Sequence, residues 1–288
     1  MVTYKRVYVG SQCNNSCLYC NQRNRPDNPE LSETVARMVD NGGVDSIELC
    51  GGEPTLRRDF FSILDAARNQ GFKRIKLVTN ARAFADINAA AKTVESGCHF
   101  FEIKVHHYQS DIHDDVTQVS GSLQETVEGI VNLRRITTLY QAPFSAFISL
   151  RISISRHNCE DIGRVALAFI PYEIDRIILS YDDSGLEMSK ALPHIQNAIS
   201  ATILNRVWIL TQGIPLCAMT GLEHHVSEIY HAPDGDYKKS KNCKKCVYDE
   251  VCPGMDRRYL DNFGFNQLRP VPESTHIEDI RILRNEQG

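Results

Sequence analysis

The 288-residue sequence lacks an apolar run long enough to cross a bilayer, and its start lacks the charged-then-apolar pattern of a signal peptide. We therefore expect neither a membrane protein nor an exported one, and predict a cytoplasmic location. The net charge is only −4, which argues against broad electrostatic binding to nucleic acid. Long low-complexity segments and internal repeats are also absent. With 42% hydrophobic and 24% charged residues, the composition indicates one large globular domain, with or without a small appendage.

Cysteine, by contrast, is plentiful, with ten residues. Disulfides are disfavoured in a reducing compartment, so clustered cysteines there more often bind a metal or take part in chemistry. Cys13, Cys17 and Cys20 stand in C-x3-C-x2-C spacing. A structural zinc site normally takes four ligands, and purely structural cysteines would not be expected to cluster in polar sequence. The remaining interpretation is a 4Fe–4S cluster with one iron left open to a substrate or cofactor.

Strand-like apolar runs alternate with amphipathic helical stretches between residues 5 and 206. Six such pairs predict an α/β fold with a parallel sheet and helices outside it, arranged as an open, partial (β/α)6 barrel. The predicted strands are 5–10, 44–50, 74–80, 99–107, 144–155 and 175–181, and the predicted helices are 31–42, 58–71, 86–97, 122–136, 160–172 and 191–206. After residue 206 the alternation ends, so we predict a barrel domain over 1–206 and a small cysteine-rich domain over 207–288.

A second motif follows the second predicted strand, in the stretch ELCGGEPTL. The paired glycines Gly51 and Gly52 let the backbone approach a ligand closely, and Glu53 can accept hydrogen bonds from an ammonium group. Alone, these residues also fit an ordinary strand-to-helix turn. Together with the C-x3-C-x2-C motif one strand earlier, they make roughly the first two hundred residues resemble the radical S-adenosylmethionine (SAM) enzymes.

The resemblance implies that Cys13, Cys17 and Cys20 bind a 4Fe–4S cluster whose fourth iron is chelated by the amino and carboxylate groups of SAM. It also implies that Tyr19 lies beside the adenine and that the 51–53 turn holds the methionine ammonium. A reductase such as a flavodoxin or a ferredoxin would supply the electron. Reductive cleavage would give methionine and a 5′-deoxyadenosyl radical that abstracts hydrogen from the substrate, while the protein provides position and exclusion of water.

Four further residues are candidates for this site. Asn80 ends the third predicted strand, and Arg151 on the fifth can pair with the SAM carboxylate or form an ion pair within the sheet. His106 is a candidate for the ribose side of the cavity, although adjacent strand residues face opposite ways and His107 competes with it. Cys50 directly precedes the 51–53 turn and is a candidate hydrogen-atom donor, as in some radical SAM epimerases, or it simply closes the strand.

The tail carries a second cysteine group, with C-x2-C-x5-C spacing in its last three members. The four residues are Cys217, Cys243, Cys246 and Cys252. Four thiolates satisfy the ligand count of either a zinc ion or a further 4Fe–4S cluster, and the spacing alone does not distinguish the two. The pattern resembles the auxiliary-cluster domains of many radical SAM enzymes. Because only four cysteines are present, the resemblance implies one auxiliary cluster of the shorter, twitch type.

The substrate is the least determined feature. The resemblance implies modification of a ribosomal peptide or protein residue, for which a separate recognition protein would be needed if the barrel does not capture the peptide itself. Epimerisation or dehydrogenation of a sugar or aminocyclitol is the alternative within the same class. An iron–sulfur electron carrier or a zinc-binding module is the alternative from another class. A carrier, however, would not need six βα pairs or the 51–53 turn.

Overall fold

The structure is a computed structural model that describes residues 4–20, 28–39, 43–139, 146–181, 185–230 and 235–285. The main strands are β1 (Lys5–Tyr8), β2 (Ser46–Cys50), β3 (Arg74–Thr79), β4 (Cys98–Val105), β5 (Phe147–Ser153), β6 (Arg176–Ser180) and β7 (Trp208–Gln212). Two short strands follow, β8 (Tyr237–Lys238) and β9 (Met255–Asp256). Among the described residues, no helix combines the length and apolarity needed to cross a membrane.

The helices alternate with the strands over most of the chain. They are α1 (Leu31–Val39), α2 (Phe60–Asn69), α3 (Ile87–Glu95), α4 (Ser110–Thr117), α5 (Ser122–Leu139), α6 (Ile162–Ala168), α7 (Met188–Leu204), α8 (Arg257–Phe263) and α9 (Ile277–Asn285). In α2 the buried positions Phe60, Ile63, Leu64 and Ala67 follow helical spacing, so one apolar face packs inward. Asp86 caps α3 by accepting a hydrogen bond from Asn88 N at 2.9 Å.

The strands β1 to β7 form one sheet in sequence order, and the pairings β1–β2, β2–β3, β3–β4 and β6–β7 are all parallel. The predicted α/β fold with a parallel sheet is therefore confirmed. The strand β7 was not predicted, because no amphipathic helix follows it. Its Ile209 and Leu210 are buried like the core residues of the other strands.

The chain divides into two compact units. The N-terminal unit comprises the described residues of 2–151 and 168–175, and the C-terminal unit comprises those of 152–167 and 176–288. The boundary predicted between residues 206 and 207 lies inside the C-terminal unit and stays a prediction. The first three cysteines and the 51–53 turn belong to the N-terminal unit, and the four tail cysteines belong to the C-terminal unit.

Candidate functional site

The loop that follows β1, here called the cysteine loop (residues 10–20), is attached to the end of helix α4. The backbone N–H groups of Ser16 and Leu18 each donate to a carbonyl oxygen in the last residues of α4, both at 2.9 Å. Within the loop, Cys20 N donates to Cys17 O at 3.2 Å, which forms a tight turn between these two cysteines. The segment around Cys17 is thus anchored to the end of α4.

The three thiols of the cysteine loop lie close enough together to interact. Burial and the neighbouring thiols Cys13 and Cys20 raise the pKa of Cys17 to about 11, against the opposing effect of Lys104. Thiolates placed this closely repel one another, and a bound cation would relieve that repulsion because metals are ligated by thiolate rather than thiol. These residues therefore fit an iron–sulfur cluster that takes three ligands from a single loop.

The glycines of the 51–53 turn lie directly against the backbone of the cysteine loop. Gly52 N donates to Gly10 O at 2.7 Å. A Cβ atom on Gly52 would lie 2.3 Å from the carbonyl oxygen of Gln12, and one on Gly51 would lie 2.3 Å from that of Gly10. Real Cβ contacts are not this short, so the close approach of the two backbone segments requires glycine at both positions.

We expect the substitution Gly52→Ala to destabilise the fold by about 1–3 kcal/mol, because the atoms that the new methyl group meets are backbone atoms that cannot rotate away. The iron content after anaerobic reconstitution should fall as well. Thermal unfolding under anaerobic conditions and iron analysis measure the two effects. Gly163→Ala in α6 is the matched control, since its Cβ would lie 3.6 Å from the nearest atom. Equal stability of the Gly52→Ala variant and the wild type would contradict the prediction.

The Glu53 side chain is 2% exposed and is hydrogen-bonded within the protein. Its Oε1 accepts from Thr55 Oγ1 at 2.7 Å and from Thr79 Oγ1 at 2.8 Å, and its Oε2 accepts from Asn80 N at 2.7 Å. Burial raises the pKa of Glu53 despite these bonds. The carboxylate therefore fastens the 51–53 turn to the end of β3. Its predicted contact with the SAM ammonium stays a prediction.

Asn80 connects the end of β3 to the cysteine loop, since its Nδ2 donates to Asn14 Oδ1 at 2.7 Å. Arg82, which the sequence analysis missed, reinforces this connection. Its Nη1 donates to Asn14 O and to Asn15 Oδ1, both at 2.6 Å, and its Nε pairs with Glu125 Oε2 at 2.6 Å. No motif marks Arg82, and only its position just after a strand end could have suggested a role.

Arg151 belongs to a row of alternating charges, here called the charge ladder, with one member on each of the strands β1 to β5. Its members in strand order are Arg6, Glu48, Lys76, Glu102 and Arg151. Glu48 pairs with both Arg6 and Lys76. Glu102 pairs with Lys76 Nζ at 3.3 Å and with Arg151 Nε at 2.5 Å. Arg151 therefore forms the ion pair that was one of its two interpretations, and its contact with the SAM carboxylate stays a prediction.

The remaining predicted residues lie around the same strand ends. Tyr19 is partly exposed in the cysteine loop. His106 is partly exposed just beyond β4, whereas His107 is buried and stacks on the neighbouring tyrosine ring at a centroid distance of 4.7 Å. Of the two histidines, His106 is thus the more accessible to a ligand. The Cys50 sulfur lies 3.8 Å from a carbonyl oxygen of β1, and its role as a hydrogen donor stays a prediction.

The four tail cysteines line one cleft in the C-terminal unit. Burial and the other tail cysteines raise the pKa of Cys217 to about 12. Two of the sulfurs accept backbone hydrogen bonds, Cys246 from Val271 N and Cys252 from Gly254 N, both at 3.4 Å. Four converging sulfurs fit the ligand count of a 4Fe–4S cluster and equally that of zinc.

Residues 7–139 match the family model of the Radical SAM superfamily. The resemblance of this part of the chain to the radical SAM enzymes is therefore confirmed. A probable GTP 3′,8-cyclase of Metallosphaera sedula is 30% identical over 168 residues, which are 56% of this chain and 49% of that protein. Its counterpart from Methanocaldococcus jannaschii is 24% identical over 63% of this chain and 64% of that protein. The chain thus spans less than two thirds of these curated relatives.

Solved structures share the fold at low sequence identity. Streptococcus suis SuiB bound to SAM has a TM-score of 0.54 at 17% identity, over 81% of this chain and 53% of that one. SuiB bound to its precursor peptide SuiA has a TM-score of 0.55 at 17% identity, over 97% of this chain and 65% of that one. Methylornithine synthase (PylB) has a TM-score of 0.51 at 16% identity, over 96% of this chain and 84% of that one.

Proposed function

We propose that this protein cleaves SAM reductively and uses the resulting 5′-deoxyadenosyl radical to abstract hydrogen from a substrate. The observation that carries the proposal is the convergence of the three cysteine-loop thiols, held against the 51–53 turn, in a domain of the Radical SAM superfamily. When bound, the cluster supplies the one-electron chemistry. A flavodoxin, a ferredoxin or a similar reductase would deliver the electron.

The chain's own residues then hold and orient the reactants. Asn80 and Arg82 fix the cysteine loop by their contacts to Asn14 and Asn15, so the thiolates keep their mutual spacing. Lys104 is close enough to Cys17 to offset part of the negative charge of the thiolates. We assign the methionine ammonium to the 51–53 turn. The assigned contacts for the rest of SAM are Tyr19 for the adenine, His106 for the ribose and Arg151 for the carboxylate.

We propose a second 4Fe–4S cluster on the four tail cysteines. Support comes from the four sulfurs that line one cleft and from the N–H groups of Val271 and Gly254 that donate to two of them. Such hydrogen bonds stabilise the more negative, reduced state of a cluster. The cluster would accept an electron from the substrate radical or bind and orient the substrate. Zinc on the same four sulfurs is the alternative, and metal analysis distinguishes it from a 4Fe–4S cluster.

For the substrate, we propose a residue of a ribosomal peptide or a protein. The fold likeness to SuiB, a protein whose structure with a precursor peptide is known, supports this choice. A nucleotide is the second candidate, because partial relatives at 24–30% identity carry the name GTP 3′,8-cyclase. Epimerisation or dehydrogenation of a sugar or aminocyclitol is the third. Each class can be recognised by whether its members raise the rate of SAM cleavage.

The test uses protein reconstituted anaerobically with iron and sulfide, then supplied with SAM and dithionite. We expect methionine and 5′-deoxyadenosine in equal amounts, and about eight irons per chain because each of the two clusters holds four. Liquid chromatography with mass spectrometry quantifies both products, and a sample without reductant is the control. Fully iron-loaded protein that forms no 5′-deoxyadenosine would refute the proposed function. Four irons with one zinc would refute the second cluster alone.

A further inference from the structure

Two histidines and an aspartate converge in the C-terminal unit at a place that no cysteine motif marks. His224, His276 and Asp279 each offer one ligand atom, and these three atoms all lie within 4.8 Å of one another. His224 belongs to the short 3-10 turn Glu223–His225. Asp279 lies in the first turn of α9, three residues after His276, so the two share one face of that helix end. The group therefore joins two segments that are distant in sequence.

A buried carboxylate adjoins this group. Glu223 is 1% exposed, and its Oε1 accepts a hydrogen bond from Tyr248 Oη. Its Oε2 is also buried and has no hydrogen-bond partner within the part of the chain that the structure describes. Buried carboxylate oxygens are normally hydrogen-bonded, because leaving one unpaired is costly. Glu223 lies close enough to His276 for the two side chains to interact electrostatically.

His276 can supply the missing hydrogen bond if its ring binds a metal ion and turns toward Glu223. An imidazole that binds a metal through one ring nitrogen carries a hydrogen on the other, and this N–H is usually donated to a carboxylate. The unpaired oxygen of Glu223 is such an acceptor. The unpaired oxygen of Glu223 and the three potential ligand atoms are thus both consistent with a metal ion bound at this place.

We propose that His224, His276 and Asp279 bind a zinc ion that fastens helix α9 to the 223–225 turn. Two neutral imidazoles and a carboxylate are a common zinc ligand set, and a water molecule can complete the four positions. The ligands of a tetrahedral zinc ion stand roughly 3.4 Å apart, so small side-chain rotations are sufficient to close the set. Glu223 acts as the positioning residue that orients His276. The proposal does not depend on the radical reaction.

The test uses protein without a polyhistidine tag, reconstituted with iron and sulfide so that the cysteines are already occupied. After incubation with zinc and gel filtration, we expect about one zinc per chain, measured by plasma mass spectrometry together with iron. His276→Ala and Asp279→Asn should each lower the zinc affinity at least about tenfold, and Glu223→Gln by about 10–100-fold. Zinc should slow amide hydrogen exchange in residues 277–285 of the wild type.

Matched controls separate the proposed site from adventitious binding. His194→Ala removes a histidine of α7, and Glu278→Gln neutralises the carboxylate next to Asp279 on the same helix, so both should bind zinc like the wild type. Unchanged iron content in every variant shows that the fold is intact. The proposal is overturned if the wild type retains no zinc, or if the His276→Ala and Asp279→Asn variants retain as much as the controls. Hydrogen exchange in α9 that does not respond to zinc overturns the fastening role.

Discussion

The Cys17→Ala variant is expected to form no 5′-deoxyadenosine above background, a loss of at least about a thousandfold, because the difficult chemistry belongs to the cofactor that we propose this thiolate holds. Cys17 is the residue to change because both Cys13 and Cys20 lie close enough to raise its pKa. The substitution should remove about half of the iron and leave the second cluster loaded, since each cluster holds about four irons. Product formation is measured by chromatography with mass spectrometry, and iron is measured on the same sample.

Cys246→Ala is the matched control, with the same substitution in the other cysteine group. It should also lose about half of the iron, yet keep SAM cleavage and fail only in conversion of the substrate. Cleavage that persists in the Cys17→Ala variant would show that the cysteine loop does not hold the reactive cluster. Loss of both activities in the Cys246→Ala variant would show instead that the tail cysteines support the whole fold, since metal ligation is coupled to folding.

The second large effect is expected from Lys76→Met at the centre of the charge ladder. Lys76 contacts both Glu48 and Glu102, and each of these glutamates is 3% exposed. Removal of the lysine leaves two buried carboxylates without their shared partner. Such a change typically costs about 3–5 kcal/mol, which should lower the unfolding midpoint on the order of 10 °C. Anaerobic thermal unfolding of the reconstituted protein measures the shift.

The pH dependence identifies the cause. In the wild type, burial and Glu102 would raise the pKa of Glu48, but Lys76 and Arg6 hold it below its ordinary value. This stabilisation is present above the unfolded-state pKa of a glutamate and is lost as the pH falls through the folded-state pKa. Without Lys76, the pKa of Glu48 should rise instead. Protonation of Glu48 at low pH should therefore reduce the destabilisation of the variant. The stability difference should therefore be largest near pH 7–8 and shrink below about pH 5.

A cavity effect of the shorter side chain would give a difference that does not depend on pH. Lys73→Met is the matched control, because Lys73 is exposed in the segment before β3. It should change the free energy of unfolding by no more than about 0.5 kcal/mol. A destabilisation of the Lys76→Met variant that is constant between pH 5 and 8 would contradict the electrostatic explanation.

The alternation of strands and helices could be predicted because its signal is local. The strand β2, for example, has four consecutive buried residues and ends at the 51–53 turn. The helix α4 was missed because its sequence, SDIHDDVT, is largely polar. It is nevertheless the element to which the cysteine loop is attached. The packing of a polar helix depends on residues that are far away in the chain, and the local pattern does not contain them.

The same distinction between local pattern and long-range contact applies to the candidate site. The spacing of Cys13, Cys17 and Cys20 is a property of a few adjacent residues, so it was visible in the sequence. The contacts of Arg82 with Asn14 and Asn15 span 68 and 67 residues, and no local pattern announces them. The pairing of Arg151 with Glu102 depends on which strands are neighbours. Sequence reasoning therefore found the candidate cofactor ligands, but not the residues that hold the cysteine loop in place.

The charge ladder has a consequence for how the strands find their alignment during folding. A slip of two residues keeps the same face of a strand inward, so the apolar pattern alone tolerates it. In the native register, Glu48 of β2 stands directly opposite both Arg6 of β1 and Lys76 of β3. A slip of β2 would bring Ser46 or Cys50 to the place of Glu48. The ladder thus distinguishes the native alignment from near-native mistakes that hydrophobic burial would accept.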